Sequence, residues 1–544
     1  MCGNKDQRIK TLYAVCCTAL FIATVLLTVC ITFYLTENYL QGDISSDLVY
    51  ANHLYETRRL VSDEWYGSTE IRILRTEWIF APLFALFKDW HLVRFVGTLI
   101  VQGIMVLSFG YMIRQVGADR NSFFLGSSVL LVPYCFSYGV NVLYGCFYAT
   151  YVSMIFLSVA LFVSLFNQRC MFRAGKIVTL CLLGFVGSLG GPRMLINMAA
   201  PAFLLILYMN MRVQQEIDVH VRRAMHQALG IGTAQVVCSV AGYLVNSIYL
   251  SKRYAFADVS IELGFGLFEQ LDQIATSYLY SFGFQNRLPL TSLRGLIALV
   301  CAGVCLFYLG WNVKKCLYWQ CRRDELDGVR KAYMGLFGFF ALLVMIAFKA
   351  LTTDNHSNDT YYLLISMWVV PWAALLLDRM NGRMMRAAGV AVLLALYLSG
   401  LVNMLSFVFP ERYRQYENDT FHHMQLPQQM KESCSFLEDE GFTFGYATFW
   451  HANVVTEMTD GKIRVAGTAL LPGKEALMDR YYWLTSKELM QNARDRAFIL
   501  LSLEEEEQIR QNEDMNAVRR IYGDEYFAVY ELLDPQNVYN GVIR

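Results

Sequence analysis

Residues 37–91 read ENYLQGDISSDLVYANHLYETRRLVSDEWYGSTEIRILRTEWIFAPLFALFKDWH. This stretch follows an apolar run from Thr11 to Tyr34, which is long enough to cross a hydrocarbon core of ~30 Å. It is too charged to lie in lipid and too amphipathic to be a passive linker. It opens on Asp43 and Asp47, four residues apart, a spacing that puts both carboxylates on one face of a helix. The chain therefore leaves the membrane early and stays outside the hydrocarbon for a long excursion before the next apolar run begins.

The rest of the sequence agrees with that reading. Of 544 residues, 55% are hydrophobic and 17% charged, whereas a soluble chain carries about 25% charged residues. Mean hydropathy is +0.34, which points to a polytopic membrane protein. The formal net charge is zero, so no nucleic-acid partner is expected. Aromatic residues at 14% suit interfacial belts and stacking on sugars or prenyl chains.

Further apolar runs fall at 92–113, 121–140, 147–167, 176–191, 194–211, 228–250, 291–312, 333–352, 360–378 and 386–409, about eleven spans with the first. Lys and Arg crowd the loops at 114–120, 169–176, 212–223, 314–331 and 379–386, which places those loops in the cytoplasm. Lys5, Arg8 and Lys10 precede the first span, and no small-x-small cleavage site follows it. It reads as an uncleaved anchor in the cell (plasma) membrane with a cytoplasmic N-terminus. An odd number of spans then leaves residues 410–544 extracytoplasmic.

That tail has the composition of a small soluble domain. GFTFGYATFW, KIRVAGTAL, RAFILLS and YFAVYELL read as strands, and LPQQMKESCSFLEDE and SLEEEEQIRQNEDM as helices. The expected organisation is a mainly α membrane domain over 1–409, with its long first outer loop, and a compact α/β extracytoplasmic domain over 410–544. Most of the fourteen cysteines lie in or beside apolar runs, where they act as small hydrophobes. Cys135 and Cys146 flank one short loop, and a disulfide there is the less favoured reading. No CxxC and no cysteine cluster of metal-ligand spacing appears, so no cysteine-held metal site is expected.

The candidate site residues face plainer explanations. Asp43 is the choice for a general base taking a proton from an acceptor hydroxyl, with Asp47 as its helper or a ligand to a cation. The plain alternative makes Asp43 a helix cap and Asp47 a partner of the helix dipole. Arg72 and Arg75, in TEIRILRTEW, can share a helical face, either as a solvated ion-pair face or as a fork gripping a phosphate. Arg193 sits in GSLGGPRML between two apolar runs, where it snorkels to lipid phosphates or neutralises a leaving phosphate. Lys252 and Arg253 flank the membrane and offer the same chemistry. His356 has no metal-spaced partners and reads as an ordinary loop residue. Trp450, His451 and Asn453 follow a strand, in a structural turn or closing over a substrate. The sequons at Asn358 and Asn418 carry no weight by themselves.

The order of these features resembles the GT-C class of membrane glycosyltransferases. GDISSDLVYANHL, EWYGSTEIRILRTEWIF, WHLVRFVG, GPRML and GYATFWHANVVTEMTDGKI further resemble a group of Firmicutes membrane proteins of GT-C-like organisation. The resemblance spans most of the chain. It implies a GT-C-like helix bundle and a polyprenyl-phosphate-linked sugar as donor. The acceptor, a glycan, lipid or protein hydroxyl, would be met on the outer face. Asp43 matches the acidic residue that the class places at the start of its first outer loop. Two departures stand out. The loop SYGVNVLYG (137–145) has no acidic residue, which disfavours a divalent cation. The late loop reads NDTYYLL, keeping Tyr361 and Tyr362 without the arginine that usually precedes a tyrosine there. Phosphate binding would then fall to Arg193 or to Lys252 and Arg253. Two other readings stay open: a non-catalytic scaffold of cell-envelope assembly, and a flippase or transporter for lipid-linked saccharide.

Overall fold

In the computed structural model the described residues are 2–68, 73, 75–166, 172–212, 219–255, 262–263, 275–276, 278–284, 289–317, 326–353, 367–377, 382–409, 426–472, 476–491, 494–510, 512–540 and 542–543. The fold is mainly α. Helix α1 (Cys2–Asn38) carries the first apolar run, and α2 (Gly42–Thr57) follows after a three-residue break. A short strand β1 (Trp65–Tyr66) and helix α3 (Glu77–Phe80) complete the excursion, and α4 (Trp90–Val116) re-enters the bundle. Asp89 caps α4 by accepting from the Leu92 amide at 3.2 Å. Then come α5 (Arg120–Leu130), α6 (Phe136–Tyr138), α7 (Ala149–Leu165), α8 (Arg173–Ser188), α9 (Ala200–Arg212), α10 (Val219–Val245) and α11 (Ser251–Arg253). Helices Leu293–Leu317, Leu326–Leu351, Val369–Leu376 and Arg383–Val408 close the bundle.

Among the described residues five helices are long and apolar enough to cross a membrane, and a bent pair, 136–144 with 149–165, makes a sixth. The chain is thus a membrane protein, and among the described residues fewer helices meet that length than there are apolar runs in the sequence. The physical reason is local. The run 121–140 is not one helix: α5 ends at Leu130, and Pro133, which cannot donate to a helical ladder, follows in the turn. The loop read at 137–145 is instead helical and largely buried, and it meets α7 at 86°. The apolar helices over 195–211 and 293–304 are shorter than a full span. Residues 360–366 and 378 of the run at 360–378 lie outside the described residues. Cys135 and Cys146 are both buried, and no disulfide joins them.

One end of the bundle carries the C-terminal sheet. Strands β2 (Glu262–Leu263) and β3 (Thr352–Thr353) pair there as a separate ladder. The sheet itself contains β4 (Phe444–Thr448), β5 (Arg464–Leu470), β6 (Met478–Arg480), β8 (Phe498–Ser502), β9 (Val518–Gly523) and β10 (Phe527–Leu532), in the order β6-β5-β4-β8-β10-β9. Its central strand β4 runs parallel to β5 and β8 and is buried throughout, as a strand covered on both faces must be. The short β7 (Thr485–Ser486) leaves this sheet and pairs with β1, so the excursion after α1 is stitched to the C-terminal region by strand hydrogen bonds.

The sequence expectation for this region needs two adjustments. The strand read as GFTFGYATFW stops at Thr448, and Phe449–Met458 is a helix, so Trp450, His451 and Asn453 are helical and not in a turn. Strand β9 lies at the sheet edge, where the charged pair Arg519 and Arg520 hides the alternation that marks an inner strand.

Candidate functional site

The first turn of α2 is the natural starting point. Its N-cap is Gln41, whose side chain makes no capping bond, so Asp43 is not the cap that the plain reading proposed. Asp43 is half-buried in the first turn, where the helix dipole favours a negative group, and Asp47 is buried one turn later. Close packing fixes that turn. A Cβ added to Gly42 would stand 2.7 Å from the Phe449 carbonyl oxygen and 3.1 Å from the Trp450 Cα. Only glycine allows α2 to approach the Phe449–Met458 helix so closely.

Asp47 has a cationic neighbour that the helical-face reading of Arg72 and Arg75 did not anticipate. Arg75 lies in the turn before α3, donating to Asp47 Oδ1 at 3.4 Å through Nη2 and pairing with Glu77 Oε1 at 2.7 Å through Nε. Its guanidinium also stands 5.4 Å from the centre of the Tyr50 ring, one turn along α2 from Asp47. Tyr50 Oη accepts from the Ser62 amide at 3.1 Å, and burial pushes its phenol up. His53 Nε2 shares a hydrogen bond with Ser62 Oγ at 2.8 Å, and burial pushes its imidazole down. The segment 62–65 thereby packs along the second half of α2, beyond the acidic turn.

A second arginine reaches the same turn from α4. Arg94 is 1% exposed and Glu457, on the Phe449–Met458 helix, 5%. Arg94 Nη2 donates to Glu457 Oε2 at 2.7 Å and to the Ile44 carbonyl at 3.0 Å, and its Nε donates to Oε1. One guanidinium therefore ties α4, the residue after Asp43, and the C-terminal region together. The only trace of Arg94 in the sequence is a charge inside the apolar run WHLVRFVG, and a charge there needs a partner. Glu457 lies 363 residues further on, and no spacing rule connects the two.

Arg193 is half-buried beyond the end of α8, in a turn where Gly191 takes φ 109°, a conformation open to glycine. It donates from Nη1 to Tyr148 Oη at 2.8 Å and stacks over that ring at 5.0 Å. Two residues before Tyr148, the Cys146 thiol lies within electrostatic reach of both Asp47 and Arg94. The segment 146–148 thus links the neighbourhood of Asp47 to that of Arg193, at the end of the bundle that bears the sheet. Lys252 and Arg253, in α11, are exposed at the same end. There Tyr66 bridges to Ala255, and the Gly67 amide donates to the Ala255 carbonyl at 2.8 Å. Arg72, Tyr361, Tyr362, His356, Asn358 and Asn418 lie outside the described residues. Among the described residues, no group of three or more His, Cys, Asp or Glu side chains is placed to hold a metal ion.

No protein-family model and no curated protein matches the sequence. Solved structures similar to it include two of one protein. A crystal structure of ArnT from Cupriavidus metallidurans bound to undecaprenyl phosphate is 14% identical, with a TM-score of 0.48, over 94% of this chain and 98% of that one. The apo structure of the same protein is 12% identical, with a TM-score of 0.46, over 96% and 99%.

The C-terminal region completes the surroundings of Asp43. Tyr481, directly after β6, has its phenol pushed up by burial and then by the Asp43 carboxylate. Sequence reasoning missed Tyr481 because nothing in its local pattern reports a partner more than four hundred residues away.

Proposed function

We propose that this chain is an integral membrane glycosyltransferase of the GT-C class. It moves a sugar from a polyprenyl-phosphate-linked donor to an acceptor hydroxyl on the outer face of the plasma membrane. The observation that carries this reading is the half-buried Asp43 in the first turn of α2, a turn pinned by Arg94 and Gly42. Arg193 stands at the same end of the bundle. Residues 1–409 supply the bundle and the acidic loop, and residues 410–544 the extracytoplasmic domain that closes over it.

In the proposed reaction Asp43 takes the proton of the acceptor hydroxyl. The oxygen attacks the anomeric carbon, the bond from that carbon to the phosphate oxygen breaks, and the phosphate leaves with the electron pair. The anomeric configuration inverts. Arg193, held by Tyr148, meets the charge on the departing phosphate, and Lys252 and Arg253 draw the anionic headgroup toward it. Stabilising charge that develops in the transition state is usually the largest catalytic contribution. Asp47, Arg75 and Glu77 serve as the support behind Asp43.

The test uses the full chain in nanodiscs with a synthetic polyprenyl-phosphate sugar and a panel of hydroxyl acceptors. Asp43→Asn keeps the shape and removes the base, and loss of transfer with retained binding of prenyl-phosphate lipid by mass spectrometry is expected. Full activity in that variant removes Asp43 from the mechanism. Absence of both bound lipid and transfer in the parent chain returns the scaffold reading to the front.

A further inference from the structure

Exposed rings are carried by the C-terminal region close to the turn of α2 that holds Asp43, where Gly42 packs on the Phe449 and Trp450 backbone. Trp450 is 41% exposed, Tyr481 38% and Tyr482 48%. Trp450 and Tyr481 belong to one connected set: Phe449 lies 5.2 Å from Trp450 and 5.6 Å from Tyr481, and Tyr481 stacks 6.4 Å from Trp483, centre to centre. Tyr482 packs 4.9 Å from Tyr66, over which Lys487 Nζ stands at 5.3 Å.

The backbone that presents these rings is fixed. The Tyr481 amide donates to the Gly467 carbonyl at 3.2 Å, and the Asn453 side-chain amide donates to the Leu484 carbonyl at 3.1 Å. Leu484 is held at φ 47°, a left-handed conformation that a leucine adopts only when its surroundings impose it. Trp450 is carried on the helix that Gly42 touches.

We propose that Trp450 and Tyr481 form an acceptor subsite for a saccharide, so that the acceptor of the proposed transfer is a glycan chain. The inference rests on the glycosyltransferase reading and names the acceptor class within it. A sugar ring has apolar C–H faces and a hydroxyl rim, and exposed Trp and Tyr rings are matched to it, with an apolar face and a polar edge each. A prenyl chain would call for a trough without phenols and without a neighbouring carboxylate. A purely interfacial aromatic belt has no need of a ring-bearing helix packed on Gly42, the residue next to Asp43. Seated on these rings, a saccharide hydroxyl lies next to the proposed base.

The experiment is saturation-transfer NMR on the full chain in phosphatidylcholine–phosphatidylglycerol nanodiscs, with chitohexaose and maltohexaose as separate probes. Bound prenyl-phosphate lipid is measured on the same samples by mass spectrometry. Binding of a probe to the parent chain, weakened about tenfold in Trp450→Ala and in Tyr481→Ala with lipid occupancy unchanged, is the expected result. Tyr481→Phe keeps the ring and should retain most of the binding, which a general loss of folding would not allow. Failure of both probes to bind, or equal binding in all variants, overturns the subsite and leaves the donor reading standing if lipid is bound. Saccharide binding without bound lipid or transfer supports the subsite and counts against the glycosyltransferase reading instead.

Discussion

Substitution of the Arg94–Glu457 pair tests whether the acidic turn is held from behind as the structure depicts. Both side chains are almost wholly buried, and three hydrogen bonds satisfy the guanidinium. Glu457→Leu leaves that guanidinium buried with the Ile44 carbonyl as its one remaining partner of the three. Breaking a buried pair in this way costs about 3–5 kcal/mol. Arg94→Met leaves the Glu457 carboxylate buried without its cation and should cost about the same. The double variant removes both charges and replaces them with apolar side chains of similar length, a change that is often neutral. The two single losses should therefore not add, and the coupling should be about 3 kcal/mol or more.

The assay is unfolding of the detergent-solubilised chain, followed by tryptophan fluorescence for the parent, both singles and the double. Transfer activity adds a readout that stability does not move. The double variant recovers its fold but lacks the bond to the Ile44 carbonyl, so it should remain impaired in transfer. Single variants within about 1 kcal/mol of the parent would refute the reasoning, since that is the range of a surface pair. A double variant as unstable as the sum of the singles would refute it equally.

Two further outcomes follow from contacts nearby. Gly42→Ala forces a Cβ against the backbone atoms of Phe449 and Trp450, which cannot rotate away. A loss of about 1–3 kcal/mol in the same unfolding assay is expected, together with reduced transfer. In the C-terminal region, burial pushes the Glu505 carboxyl up, but His451, Thr448 and the Ser502 amide outweigh it and hold the carboxyl below its ordinary value. A depressed folded value means the stabilisation is present above the unfolded value and is lost as pH falls through the folded one. Glu505→Gln should therefore flatten the acid limb of stability against pH, and an unchanged acid limb in thermal melts would show that Glu505 does not contribute to it.

How much of this was legible beforehand depends on the range of the interaction concerned. The long runs in α1, α4 and Arg383–Val408 announce themselves because burial in lipid is set residue by residue, and the tail strands do so because their alternation is local. The acidic pair was readable for the same reason: Asp43 and Asp47 are four residues apart on one helix. Interruptions were harder, because composition alone does not say whether Pro133 ends a span or bends it. The side-chain partner of Asp47 was not legible. Arg75 looked like part of a helical face with Arg72, but it sits in a turn and joins Asp47 across 28 residues. Glu457, Phe449 and Tyr481 were not legible at all as neighbours of the first loop, since each meets it through a fold-level contact.

The composition break after residue 409 divides the sequence in a place that does not divide the site. Behind Asp43 stands Arg94 from the bundle, neutralised by Glu457 from the tail. Beneath it, Gly42 touches Phe449 and Trp450, and Tyr481 lies within reach of its charge. Further along the excursion, β1 pairs with β7, and the main-chain amide of Trp90 donates to Asp460 at 2.9 Å. An exposed pair such as Arg464 and Glu56, 3.0 Å apart, adds little to this joint; the buried contacts carry it. The first loop contributes the proposed base, the bundle the proposed anion-binding arginine, and the tail the charge and the backbone surface that hold the base still. In this arrangement the tail acts on the proposed chemistry through position, and a change at Glu457 reaches Asp43 through Arg94 and a single backbone carbonyl.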